Sequence, residues 1–225
     1  METSSLQELF RSSFPFWDKM SERDHETFMR SSQQVKFEKG TNIHNGNECT
    51  GIILVRTGSL RLYILSEEGK EVTLYRLFPG DICILSASCV LQMITFDVFV
   101  DSEENSECVV VGGCAYEDLS RRMVEAKVFA LEAALGRVSD VMWVFQQILF
   151  SSMDKRLATF LLDESSNVHS DVIKLTHEQI AKYMGSAREV VSRMMKYFVS
   201  EGLVESSRSG GIRLLDKKRL RQLTY

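Results

Sequence analysis

Five side chains near the C-terminus have the types and spacing to meet DNA, four at base edges and one at a phosphate. Arg188, Glu189, Ser192, Arg193 and Lys196 fall within an arc of about 140° when residues are wound at 100° each. Arginine offers paired donors that match guanine O6 and N7, glutamate accepts from cytosine N4, and serine bonds either way. Lysine suits a phosphate, which positions a protein without specifying sequence. The rest of the circumference (Ala187, Val190, Val191, Met194, Met195, Tyr197, Phe198) is apolar or aromatic and can pack. A solvated surface helix would give the same wheel, so the flanking chain decides.

Two helix-start signals stand ten residues apart. Thr176 with Gln179 fits a capping box, and so does Ser186 with Glu189. Met184-Gly185 leaves room only for a tight turn between them, and Gly202 stands where the second helix should end. Two short helices joined by a glycine-bearing turn, the second with a polar reading face, predict a helix-turn-helix. Thr176 and Ser186 therefore join the five side chains as candidate DNA-binding residues. Upstream, Asp154–Ser165 reads as an amphipathic helix. Downstream, strands Leu203–Glu205 and Ile212–Leu215 flank a turn at Ser209-Gly210-Gly211, the hairpin of a winged helix. Asp216 can cap a last helix, whose basic run Lys217-Lys218-Arg219-Leu220-Arg221 is expected to be a solvated face, with phosphate contact as the second reading.

The elements that must carry this reader lie further upstream. Residues 1–34 suggest short helices, with Ser21 capping one that runs to about Arg30 and Phe14-Pro15-Phe16-Trp17 forming an apolar plug. From Val35 short apolar runs alternate with turn residues, glycines at 58, 69 and 80 among them, which predicts a β sandwich or roll over 35–113. A helical stretch from Tyr116 to Phe150 follows. Val124, Val128, Leu131, Leu135, Val138, Met142, Phe145 and Leu149 advance by alternating steps of four and three, the seam of a coiled coil. Such a seam is expected to meet its own copy across a two-fold axis; the alternative is packing on its own roll. Gly136 should weaken the helix by about 1 kcal/mol relative to alanine unless close packing uses the space. Ser151-Ser152 is a candidate hinge.

The expected architecture is α+β. It comprises helices with an antiparallel β roll (double-stranded β-helix, jelly-roll type) over 1–115, a long dimerisation helix over 116–150, and a winged helix-turn-helix over 151–225.

Composition narrows the function. The net charge of −4 hides a division: residues 151–225 carry 13 Lys+Arg against 9 Asp+Glu, or +4, and the rest 14 against 22, or −8. A basic C-terminal part suits nucleic-acid binding by one domain. No apolar run approaches the roughly 20 residues that span a bilayer, and no signal peptide is evident, so a cytoplasmic location without membrane contact is expected. The five cysteines (Cys49, Cys83, Cys89, Cys108, Cys114) are odd in number and form no CxxC, so small buried residues are expected rather than a disulfide framework. A redox pair, Cys83 with Cys89, is the alternative. Of the four histidines only His44 lies in the roll, too few for a cupin-type metal centre. With no P-loop, nucleophile elbow or CxxC, catalysis is not expected.

The stretch GSAREVVSRMMKYFVSEGLVE resembles the pattern G-x-x-R-E-x-x-x-R, an apolar run and G-L-[IV] of the CRP/FNR transcription regulators. LFPGD at Leu77–Asp81 is similar to their cyclic-nucleotide-binding-type roll. The resemblance covers residues 20–223. It implies a homodimeric regulator on a palindromic operator, with RNA polymerase as a further partner if it activates. Arg188, Glu189 and Arg193 match base-reading positions of CRP-like members; Glu189, Ser192 and Arg193 equally match the E-x-x-S-R set of FNR-like members. A TGA-containing half-site, TTGAT-like with Ser192, is implied. The sensory end departs from the pattern. From Leu77 to Ser120 there is no Lys or Arg against eight acidic residues, so cyclic AMP is not expected as effector. The N-terminal cysteine cluster of iron–sulfur members is missing and no haem motif is evident, so the cofactor stays unassigned. Within Ile82–Thr95, Ser86, Ser88, Cys89 and Gln92 are candidate effector contacts; a simply packed segment is the alternative. A ligand-binding dimer with a degenerate helix-turn-helix is a further reading.

Overall fold

The computed structural model describes residues 2–46, 49–87, 90, 96–206 and 211–224. The chain divides into two compact units, one of residues 1–69 with 74–141, the other of residues 142–225 with 70–73.

The first unit opens with helix α1 (Glu2–Ser13), a 3-10 turn (Trp17–Lys19) and α2 (Glu22–Arg30). Ser21 caps α2 as the sequence predicts, its Oγ accepting from the Asp24 amide at 3.2 Å. The aromatic plug is buried: Phe14, Phe16 and Trp17 pack with Phe10 and Phe28 at ring-centroid distances of 5.2–5.8 Å. Among the described residues eight strands follow: β1 (Ser32–Phe37), β2 (Asn42–His44), β3 (Ile52–Thr57), β4 (Leu60–Leu65), β5 (Glu71–Leu77), β6 (Ile82–Cys83), β7 (Phe99–Ser102) and β8 (Ser106–Val111). They form two four-stranded sheets, ordered β1-β8-β3-β6 and β2-β7-β4-β5, whose inner faces share one apolar core. Every mapped strand pair is antiparallel, so the roll is as expected. One of the spaced glycines shows why the residue recurs. Gly58 sits at φ +82°, and a Cβ there would lie 2.2 Å from Ser106 Oγ.

Behind the roll the predicted single helix is two. Helix α3 (Gly113–Arg122) ends at Met123, which is extended (φ −121°, ψ 111°), and α4 runs from Val124 to Phe150. Neither proline nor glycine marks this break. Tyr116 accounts for it: its ring is buried and its hydroxyl donates to the Ala126 carbonyl at 2.8 Å, so α3 is tied to the first turn of α4. On α4, Ala126 and Ala130 are buried against the core, with Phe129, Ala133, Ala134 and Val141 beside them. The opposite face carries the seam. The five seam residues of this unit, Val124, Val128, Leu131, Leu135 and Val138, are 43–72% exposed, so none of them is used to cover the roll, and Met142, Phe145 and Leu149 of the second unit are exposed as well.

The second unit holds α5 (Met153–Asn167), β9 (Val172–Ile173), α6 (His177–Met184), α7 (Arg188–Ser200), β10 (Val204–Ser206), β11 (Ile212–Leu214) and α8 (Lys217–Leu223). A small sheet, β10-β11-β9, pairs Val204 with Leu214 and Ile212 with Ile173. Leu157 and Leu161 of α5, Ile180 of α6, Val191 and Phe198 of α7 and Leu220 of α8 close the core. Asp216 caps α8 by accepting from the Arg219 amide at 2.9 Å. Ser209 and Gly210, at the expected tip of the wing, lie outside the described residues.

The cysteines correct one expectation. Cys83, Cys108 and Cys114 are free thiols, the first two buried, but Cys49 is disulfide-bonded. Since Cys83 is a free thiol, it forms no disulfide with Cys89, which itself lies outside the described residues.

Candidate nucleic-acid interface

The reader is built from caps, a turn and a packed face. Thr176 opens α6 with the complete capping box that its spacing predicts. Its Oγ1 accepts from the Gln179 amide at 3.2 Å, and its own amide donates to Gln179 Oε1 at 2.8 Å. Gly185 ends α6 in the left-handed region (φ 58°, ψ 45°). Such a residue reverses the chain at little cost only as glycine. The Ser186 amide then donates back to the Ala181 carbonyl at 2.9 Å, completing a Schellman-type closure.

That bond overturns the second capping box. Ser186 belongs to the end of α6, so α7 begins one residue later, with Ala187 in the cap position and no side-chain cap. The Ser186 hydroxyl lies 3.9 Å from Met153 Sδ instead. The tight turn predicted from Met184-Gly185 stands; only its share between the helices changes.

The turn fixes the roll of α7. Val191, Met195 and Phe198, spaced four and three apart, point into the core. Arg188, Glu189, Arg193 and Lys196 are thereby exposed, with Ser192 half-buried between them. Among the described residues none of these five side chains has a hydrogen bond or ion pair within the protein. Their donors and acceptors all face outward on one surface. Thr176 and Lys196 also meet at a cleft of about 480 Å³ between the start of α6, α7 and the wing, where Ser206 and Gly211 line the far side.

The other cations of this unit are mostly spent on the fold. Arg213 pairs with Glu205 across the wing at 3.3 Å, and Lys217 pairs with Asp171. Arg219 donates to the Glu201 carbonyl at 2.9 Å and to its carboxylate at 3.1 Å, clasping the end of α7. One positioning residue escaped the sequence reading. Arg156 of α5 donates to the Met184 carbonyl, the last of α6, and so holds the reader's turn from behind. Its partner is 28 residues away and is a main-chain oxygen, so no side-chain pattern announces it.

Ser86 is buried and donates to the Gly51 carbonyl at 2.7 Å, while Ser88, Cys89 and Gln92 lie outside the described residues. Burial pushes the Cys83 thiol up, against the nearby dipoles that favour thiolate. Among the described residues no group of three or more His, Cys, Asp and Glu could hold a metal ion, and no helix is long and apolar enough to cross a membrane.

Comparison with known proteins agrees with this geometry. Residues 155–223 match the model of the Crp-like helix-turn-helix domain. The chain is 25% identical over 183 residues to the cAMP-activated global transcriptional regulator CRP of Salmonella typhimurium, covering 75% of this chain and 82% of that protein. The structure of FixK2 from Bradyrhizobium japonicum superposes with a TM-score of 0.69 at 19% identity, over 86% of this chain and 98% of that one. A structure from Eubacterium rectale, assigned to the transcriptional regulators of the Crp/Fnr family, is 43% identical with a TM-score of 0.90 and covers 94% of this chain and 98% of its own. With a packed helix-turn-helix, a wing and a β roll in one chain, the protein belongs to the CRP/FNR family of DNA-binding transcription regulators.

Proposed function

We propose that the protein is a homodimer that reads an inverted repeat with TGA-containing half-sites, TTGAT-like in form. Arg188, Glu189, Ser192 and Arg193 take the base edges; Lys196, with Thr176 and Ser186 at the flanks, takes the backbone. The observation that carries this reading is the division of α7 into a buried face and a face whose five polar side chains have no partner among the described residues. Ser192 beside Glu189 and Arg193 favours the TTGAT-like version. Selection from random duplex DNA should return an inverted repeat with half-sites one helical turn apart; a single unrepeated motif, or halves lacking TGA, would refute it.

Dimerisation rests on the exposed seam of α4, since a soluble helix rarely leaves so regular an apolar stripe to water. Sedimentation should give twice the chain mass, and Leu135→Glu with Val138→Glu should halve it and abolish binding to the repeat. A ligand-binding dimer with a degenerate reader predicts no specific gel shift at moderate salt, which separates it from the main reading.

The signal acts at the roll or along the seam by altering how the paired helices pack, the Ser151-Ser152 hinge re-aiming the heads. It is not cyclic AMP: residues 77–120 contain no cation to meet a buried phosphate. No rise in melting temperature is expected with cyclic AMP, and a clear rise would reverse this. A redox signal through Cys83 is disfavoured by its buried, protonated thiol. RNA polymerase is the further partner where the protein activates. The protein acts in the cytoplasm without catalysis.

A further inference from the structure

We propose that the DNA-reading unit carries a second ligand site, a pocket for a small single-ring aromatic cation between the end of α4 and helices α5 and α6. A cavity of about 110 Å³ opens there, walled by Trp143, Phe160 and Tyr183. Phe160 and Tyr183 stack at 5.8 Å and 28°, making a continuous aromatic surface. A single ring suits the size, given that an apolar cavity of about 150 Å³ holds benzene.

Charge selects the ligand. Asp163 and Arg156 both line the cavity, two turns apart on α5 and not paired with each other. Arg156 is already answered, its guanidinium donating to the last carbonyl of α6, where the helix end is electronegative. The Thr159 hydroxyl is likewise committed, to the Lys155 carbonyl at 3.0 Å. Asp163 has no partner among the described residues, and partial burial pushes its carboxyl up. The pocket thus offers aromatic faces and one unanswered carboxylate, which together attract a desolvated organic cation.

The site stays open in the proposed dimer. Pocket residues Trp143, Val144, Gln147 and Ile148 and seam residues Met142, Phe145 and Leu149 occupy arcs of α4 centred about 160° apart at 100° per residue. An occupant would touch the dimer helix on one side and Tyr183-Met184, next to the Gly185 turn, on the other. The consequence for DNA affinity rests on the function proposed above; the binding itself does not.

Trp143 provides the test, because the only other tryptophan, Trp17, is buried in the other unit. Full-length protein is titrated with benzamidine, and with benzoate and benzamide as anionic and neutral controls, following tryptophan emission. Saturable change with benzamidine is expected at millimolar probe or below, weakened roughly tenfold in Asp163→Asn and lost in Phe160→Ala. Trp143→Phe should remove the signal while calorimetry still detects binding. Equal response to benzamide, or preference for benzoate that vanishes in Arg156→Gln, would overturn the assignment; so would no saturable binding of benzamidine to the wild type. Loss of specific DNA binding with benzamidine binding intact would instead count only against the proposed reader.

Discussion

The reading helix and the buried core of the roll use polar side chains in opposite ways. On α7 five polar groups are held up to solvent over a packed apolar face, each without a partner among the described residues. In the roll, Ser86 is buried and spent on the Gly51 carbonyl, and His44 bonds Thr50 at 2.8 Å. The first arrangement adds nothing to the fold and keeps its capacity for another molecule. The second stabilises the fold and leaves little to offer a ligand. Exposure of unpaired polarity on a rigid support, rather than the residue types themselves, distinguishes a recognition surface from a scaffold.

Mutations should separate the two. Phe198→Ala removes the support under the reading face and should cost about 3–5 kcal/mol of stability, by denaturant unfolding, with DNA binding lost alongside. Arg193→Ala should leave stability within about 0.5 kcal/mol of wild type yet cost roughly 1–3 kcal/mol of operator affinity and relax specificity at one base pair, by gel shift. Ser86→Ala should do the reverse: stability falls by about 1–3 kcal/mol through the orphaned Gly51 carbonyl, while affinity per folded dimer is unchanged. If Arg193→Ala destabilised the protein as Ser86→Ala does, the contrast would fail.

Two smaller effects sharpen it. A Cβ on Gly136 would meet nothing within 4 Å in the single chain, so Gly136→Ala should stabilise by about 1 kcal/mol. A loss of dimer affinity instead would mean that a partner helix approaches closely there. His44 gives the pH dependence. Burial lowers its pKa from 6.5, partly offset by Asp97, so the unfolded chain takes up the proton first. Stability is therefore full above about 6.5 and declines as pH falls through the folded value. His44→Gln should flatten that slope in melting curves taken between neutral and acid pH.

Much of this was legible in the sequence because it rests on local rules. The Thr176–Gln179 box, the two faces of α7, the Asp216 cap and the alternating steps of the α4 seam are all set within a few residues. What escaped depends on competition or distance. Ser186 looks like a cap, but its amide is claimed by Ala181, a contest that a spacing pattern does not register. The break at Met123 has no proline or glycine and follows from the Tyr116–Ala126 bond. The disulfide at Cys49 runs against the reading of an odd cysteine count, and the pocket beside Trp143 assembles three helices with no shared motif. The candidate contacts Ser88, Cys89 and Gln92 lie outside the described residues.

The internal pairing of Arg213, Lys217 and Arg219 bears on how the protein searches a genome. Cations that already hold carboxylates displace few counterions when they approach a duplex. Arg213, Lys217 and Arg219 should therefore add little to the salt dependence of binding, which falls to the unpaired Arg188, Arg193 and Lys196. Attachment to random sequence then draws on the same few side chains that meet the operator.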